Sequence, residues 1–159
     1  MSFEYSQVAD NSLLPFGANG PLDLSADSSS TGFSGALDIT PIFEDGLTLG
    51  TQTLQALLVS TEGAVGGTEA IGYPSPTYRN GVITPFYRQM TDARDIDGIT
   101  NPGVFFDLDT ARDSVIVTWN GVSNTNTDTL VYTFQLELRD RGDGDAEAIF
   151  RYADMPETS

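Results

Sequence analysis

The stretch Gly103–Met155, GVFFDLDTARDSVIVTWNGVSNTNTDTLVYTFQLELRDRGDGDAEAIFRYADM, decides the fold. Three apolar-patterned runs lie in it, Val104 to Leu108, Ser114 to Trp119 and Leu130 to Leu138, followed by a fourth, Ala146 to Tyr152. Every gap between them carries polar or glycine-rich turn chemistry. That pattern predicts an antiparallel meander. In the third run Tyr132, Phe134, Leu136 and Leu138 alternate with Thr133, Gln135, Glu137 and Arg139. This is the period of two of a half-buried strand, so one face is expected in the core and the other in water. The alternation Val115, Val117, Trp119 predicts that the indole lies buried between two sheets.

Upstream, strand-sized runs recur between turns. Leu37 to Phe43 alternates and is expected as a strand broken or placed at an edge by Pro41, whose missing N–H cannot serve a central ladder. Leu47 to Val59 contains TLQALLV, helical by propensity. Its threonines and its flanking Gly46 and Gly63 favour a strand entering a tight Glu62-Gly63 turn and re-emerging as Ala64-Val65. Val82 to Tyr87 reads as a short buried strand, and MTDARDIDGITNPG as an acidic loop before the meander. Residues 1–35 read as an irregular N-terminal arm and 36–155 as a sandwich body, within a single domain spanning 1–159. The fold class predicted is all-β, an antiparallel β-sandwich.

Composition bounds function by exclusion. The net charge is −16, from 23 acidic and 7 basic residues, and every basic residue is an arginine. Such a surface repels nucleic acid and anionic membranes, since phosphate binding depends on Lys and Arg releasing counterions. With neither cysteine nor histidine the chain has no thiolate and no disulfide, and it lacks the usual neutral-pH general base. The start MSFEYSQVADNSLL lacks a basic n-region and a long apolar h-region, and no run is long enough for a membrane helix.

Two acidic clusters could hold calcium through hard oxygen ligands. Asp92, Asp95 and Asp97 precede Gly98 in half of an EF-hand-like spacing without the closing glutamate, and a solvated turn is the simpler reading. Asp140, Asp143, Asp145 and Glu147 lie in RDRGDGDAE, which reads first as a hairpin turn with Gly142 and Gly144 at positive φ. That turn also spells Arg141-Gly142-Asp143, the tripeptide integrins read, a match a short polar turn produces by chance. Asp107 and Asp109 face the same side as Phe105 and could be taken for a glycosidase acid and base, although solvation at a strand end explains them more simply.

Several pieces, in register, resemble the NIDO domain, the nidogen-type extracellular module. They are LLPFG at Leu13 to Gly17, LTLGTQTLQALLVSTEGAVGGT at Leu47 to Thr68, ITPFYRQMTD at Ile83 to Asp92, and GVFFDLD at Gly103 to Asp109. VIVTWNGV at Val115 to Val122 and YTFQLELRDRGDGDAEAIFRY at Tyr132 to Tyr152 complete the order. Two departures stand out: the family's Asn-Gly turn is Glu62-Gly63 here, and its aromatic after Pro-Phe, often Trp, is Tyr87. The resemblance implies a NIDO-like sandwich and a non-enzymatic extracellular adhesion or interaction module, secreted or surface-displayed, with a protein or glycan partner. The rival readings are a structural subunit of a virion or filament, assembling through residues 1–17, and a glycan-binding or glycan-processing domain.

Overall fold

The computed structural model describes residues 2–7, 12–23, 34–67, 82–85, 90–92, 102–124 and 131–155. Its strands are β1 (Ser2–Gln7), β2 (Leu37–Asp38), β3 (Leu47–Leu49), β4 (Gln52–Leu54), β5 (Ala56–Ser60), β6 (Ala64–Gly66) and β7 (Val82–Ile83). They continue with β8 (Met90–Asp92), β9 (Gly103–Asp109), β10 (Ser114–Asn124), β11 (Val131–Gly142) and β12 (Asp145–Asp154). The class is all-β, as the patterning predicts, and the described residues contain no α-helix.

β9 to β12 form the expected meander, each antiparallel to the next. They are the body of a six-stranded sheet ordered β1-β12-β11-β10-β8, with β9 also on β10. One edge of β10 serves two strands in turn. β9 pairs with Ser114 to Asn120 and β8 with Val122 to Asn124, and the register against β11 slips between Asn120 and Val122. Gly121 sits at that slip with φ of 69°, where glycine escapes the Cβ penalty of the left-handed region. β8 corrects the expectation of an acidic loop over MTDARDIDGITNPG: its first three residues, Met90–Asp92, are a strand because β10 runs past the bulge and offers it an edge.

The second layer is a four-stranded sheet, β2-β5-β6-β7, beside the β3-β4 hairpin. The run Leu47 to Val59 is not helical, but neither is it the one strand expected: it doubles back at Gly50, φ 62°, to pair β3 with β4, then continues as β5 to the turn at Glu62-Gly63, with Gly63 at φ of 82°. β2 ends sooner than expected. Asp38 Oδ1 accepts both the N–H and the hydroxyl of Thr40, and the Ile42 and Phe43 N–H groups fold back onto the Ile39 carbonyl, so the chain turns through Thr40-Pro41.

Between the layers lies one apolar core. Val115, Val117, Trp119, Phe134, Leu136 and Leu138 from the large sheet share it with Leu57, Val59, Val65 and Ile83 from the small one. Trp119 is fully buried, stacks on Phe134 with ring centroids 4.8 Å apart, and donates its indole N–H across the layers to the Ser60 carbonyl at 2.8 Å. The single polar atom of the indole is thereby satisfied at no loss of apolar burial.

The other face of the large sheet departs from the expectation of a wet surface. Gln135 and Glu137 have no exposed surface at all, and neither do Ser114 and Thr118 on the same face of the neighbouring β10. Nor is the N-terminal arm irregular throughout. Ser2–Gln7 pairs in parallel with β12, from Ser2 opposite Glu147 to Gln7 opposite Tyr152, and residues 13–18 lie across the second face. Gln135 and Asp107 are covered there by the chain's own N-terminal segment, whereas Glu137 is enclosed by Ser114 and three arginines.

Candidate functional site

The register sets side chains of the second face in two groups. Across β10 and β11, Thr118 lies opposite Gln135 and Ile116 opposite Glu137, while β9 places Asp107 opposite Ile116 and Phe105 opposite Thr118. The first group clasps backbone. Gln135 Oε1 accepts the Leu14 N–H at 3.0 Å, and its Nε2 donates to the Leu14 carbonyl at 3.0 Å and to Thr118 Oγ1 at 2.9 Å. Both amide hydrogens and the amide oxygen are used, so the buried side chain is satisfied. Asp107 Oδ2 and Oδ1 accept the N–H groups of Gly17 and Ala18 at 2.9 and 3.0 Å. The positive φ of Gly17, 90°, allows the turn that presents two successive N–H groups to one carboxylate. Phe16 tilts onto Phe105 with centroids 5.2 Å apart, and the Leu22 N–H reaches the Val104 carbonyl at 2.8 Å.

The second group surrounds Glu137. Ser114 Oγ donates to its Oε2 at 2.6 Å, and the guanidinium groups of Arg112, Arg139 and Arg151 approach within 3.3, 3.3 and 2.9 Å. Burial by itself would raise this carboxyl's pKa. The hydrogen bonds from Ser114, Arg112 and Arg151, with the charge of Arg151, outweigh it and hold the pKa at about 2, against an ordinary 4.5. Glu147 extends the network, pairing with Arg139 at 3.3 Å and Arg141 at 2.6 Å. The four described arginines thus gather on one face around two glutamates, within a chain of net charge −16.

A cleft of about 420 Å³ opens beside the docked segment, lined by Pro15, Phe16 and Ala18 on one side and by Asp107 to Ala111 and Ile116 on the other. Asp107 and Asp109 both line it, yet both serve local structure: Asp109 Oδ1 accepts the Arg112 N–H at 3.1 Å and closes the turn into β10. Strand-end solvation is therefore the wrong account of Asp107, which is 7% exposed and bound to the N-terminal segment.

Of the first acidic cluster, Asp92 ends β8 opposite Val122, and Asp95 and Asp97 lie outside the described residues. The second cluster forms the turn between β11 and β12, with Gly142, Asp143 and Gly144 at φ of 89°, 55° and 80°. There Asp140 Oδ1 accepts the Gly142 N–H, Asp145 Oδ1 accepts its neighbour's N–H at Ala146, and Glu147 faces arginines. Among the described residues no three acidic side chains gather into a group that could hold a metal ion. Arg141 of the Arg-Gly-Asp tripeptide is ion-paired to Glu147.

Sequence reasoning passed over Gln135, Glu137 and the role of Asp107. A usable signal was present in Leu13, Leu14 and Phe16, large apolar residues that need a surface to cover, and in polar residues alternating on strands whose registers place them side by side. No family model, curated protein or solved structure matches the chain.

Proposed function

We propose that this chain is a non-enzymatic, extracellular or surface-displayed interaction module that engages a protein or glycan partner through the cleft beside Phe16. The observation that carries the reading is the commitment of Asp107 and Asp109. Their carboxylates accept backbone N–H groups at 2.9 to 3.1 Å, which supports reading them as positioning groups for the cleft walls rather than as an acid and base. A catalytic carboxylate pair needs one member held protonated and the other ionised and open to substrate. The rim, by contrast, suits contact. Pro15, Ala18, Thr110 and Ala111 are exposed around a floor that includes buried Ile116. The order of sequence pieces resembling NIDO domains and the acidic, lysine-free composition support the same reading.

The test pairs a glycan array and a binding screen against cell-surface proteins with a panel of chromogenic glycosides. Binding that is lost in Ala111→Arg, a rim substitution exposed in the fold, with no turnover of any glycoside, is the expected result. Hydrolysis that disappears in Asp109→Asn would overturn it.

A further inference from the structure

We infer that the second face of the large sheet is a seat for an extended peptide, and that residues 12–23 of a second copy of this chain can occupy it in place of the chain's own. Residues 15–18 and Asp107 also wall the cleft, but the proposal does not depend on what binds there.

The seat reads main chain. Five hydrogen bonds between it and the segment end on backbone groups of the segment: the Leu14 N–H and carbonyl on Gln135, the Gly17 and Ala18 N–H groups on Asp107, and the Leu22 N–H on the Val104 carbonyl. A two-point amide clasp on one residue and a carboxylate under two successive N–H groups fix the register of a bound peptide. The ring of Phe16 on Phe105 adds the apolar anchor. β1 extends the contact by adding a parallel strand to the β12 edge, again through main chain.

The seat is also polar. Gln135, Asp107 and Thr118 line it, so an emptied seat can be hydrated and is not an apolar surface forced to collapse. The covalent geometry permits both occupants. The body is anchored from Ser34, which exchanges hydrogen bonds with Val59 at 2.9 Å, and the ten residues between Asp23 and Ser34 can span up to roughly 33–36 Å when extended. In dilute solution the tether gives the chain's own segment an effective concentration that a second copy does not match. At high local concentration exchange preserves every contact and closes a pair of chains, the low-cost route to a dimer.

Complementation between two full-length variants tests this. Asp107→Ala with Gln135→Ala breaks the seat and leaves the segment intact. Leu14→Pro with Gly17→Pro removes two of the seated N–H groups, and proline cannot adopt the 90° φ of Gly17, so that variant keeps an empty seat. Each alone should run as a monomer of 17.1 kDa, and mixing them, with one isotopically labelled, should give a one-to-one mixed dimer in native mass spectrometry. Monomers alone in the mixture, with the β spectrum of both variants retained, would overturn the proposal. If either variant loses its β spectrum, heavy and light wild-type chains refolded together at high concentration decide. Mixed dimers in a 1:2:1 pattern support exchange, and monomers only refute it.

Discussion

Replacing Glu137 with glutamine keeps the shape of the side chain and removes the one charge on which Arg112, Arg139 and Arg151 converge. The carboxyl titrates near 4.5 in an unfolded chain and at about 2 in the fold. Between those values the unfolded state binds more protons, so stability rises with pH through this window. The contribution is complete above about 4.5 and lost as pH falls through about 2. At about 1.4 kcal/mol per pKa unit the difference amounts to roughly 3 kcal/mol at neutral pH, in line with the cost of about 3–5 kcal/mol for removing one partner of a buried ion pair. Urea unfolding of wild type and Glu137→Gln at steps from pH 7 to pH 2 measures it, and the difference between the two chains removes the titration of all other carboxyls. The gap in stability should be about 3 kcal/mol at pH 7, begin to close below about 4.5, and be small near 2. A gap under about 1 kcal/mol at pH 7, or one of constant size across the range, would refute the reasoning.

Trp119→Ala should destabilise by roughly 3–5 kcal/mol, as a large truncation in a closed core, read as a shift of the urea midpoint. The same indole, the only one in the chain and fully buried, should fluoresce at short wavelength and resist acrylamide until unfolding, and a solvent-like spectrum would count against its place between the sheets. Gly144→Ala should cost about 2–5 kcal/mol, because φ is 80° and a Cβ would in addition lie 2.5 Å from Thr48 Oγ1. Gly142→Ala, with φ of 89° and nothing within 4 Å, should cost only about 1–2 kcal/mol, so equal losses in thermal melts would deny the close approach of Thr48. Any effect of millimolar calcium on melting should survive Asp143→Asn with Asp145→Asn, since those carboxylates do not converge, and its loss in that variant would place an ion at the hairpin.

The meander and its inner face were legible because period-two alternation over Val115 to Trp119 and Tyr132 to Leu138 needs only the geometry of a strand. The turn at Gly142 to Gly144 was legible for a similar local reason, its run of small and acidic residues suiting positive φ. The outer face was not, since Gln135 and Glu137 look solvated until a segment more than a hundred residues away lies across one of them and three arginines close around the other. No local pattern distinguishes a polar residue in water from one whose every hydrogen bond is made inside. β1 and β8 were missed for a different reason. Ser2–Gln7 and Met90–Asp92 are strands because neighbouring edges accept them, and runs this short carry little periodicity of their own.

The seating of residues 12–23 on the second sheet face underlies both the sealed polar layer and the proposed exchange, and amide hydrogen exchange followed by NMR tests it most directly. The N–H groups of Leu14, Gly17 and Ala18, bonded to Gln135 and Asp107, should be protected well above unstructured rates in the wild-type chain. Protection of Gly17 and Ala18 should be lost in Asp107→Ala while the amides of the β10–β11 ladder keep theirs. Exchange of those three amides at unstructured rates in the wild-type chain, beside a protected ladder, would contradict the account.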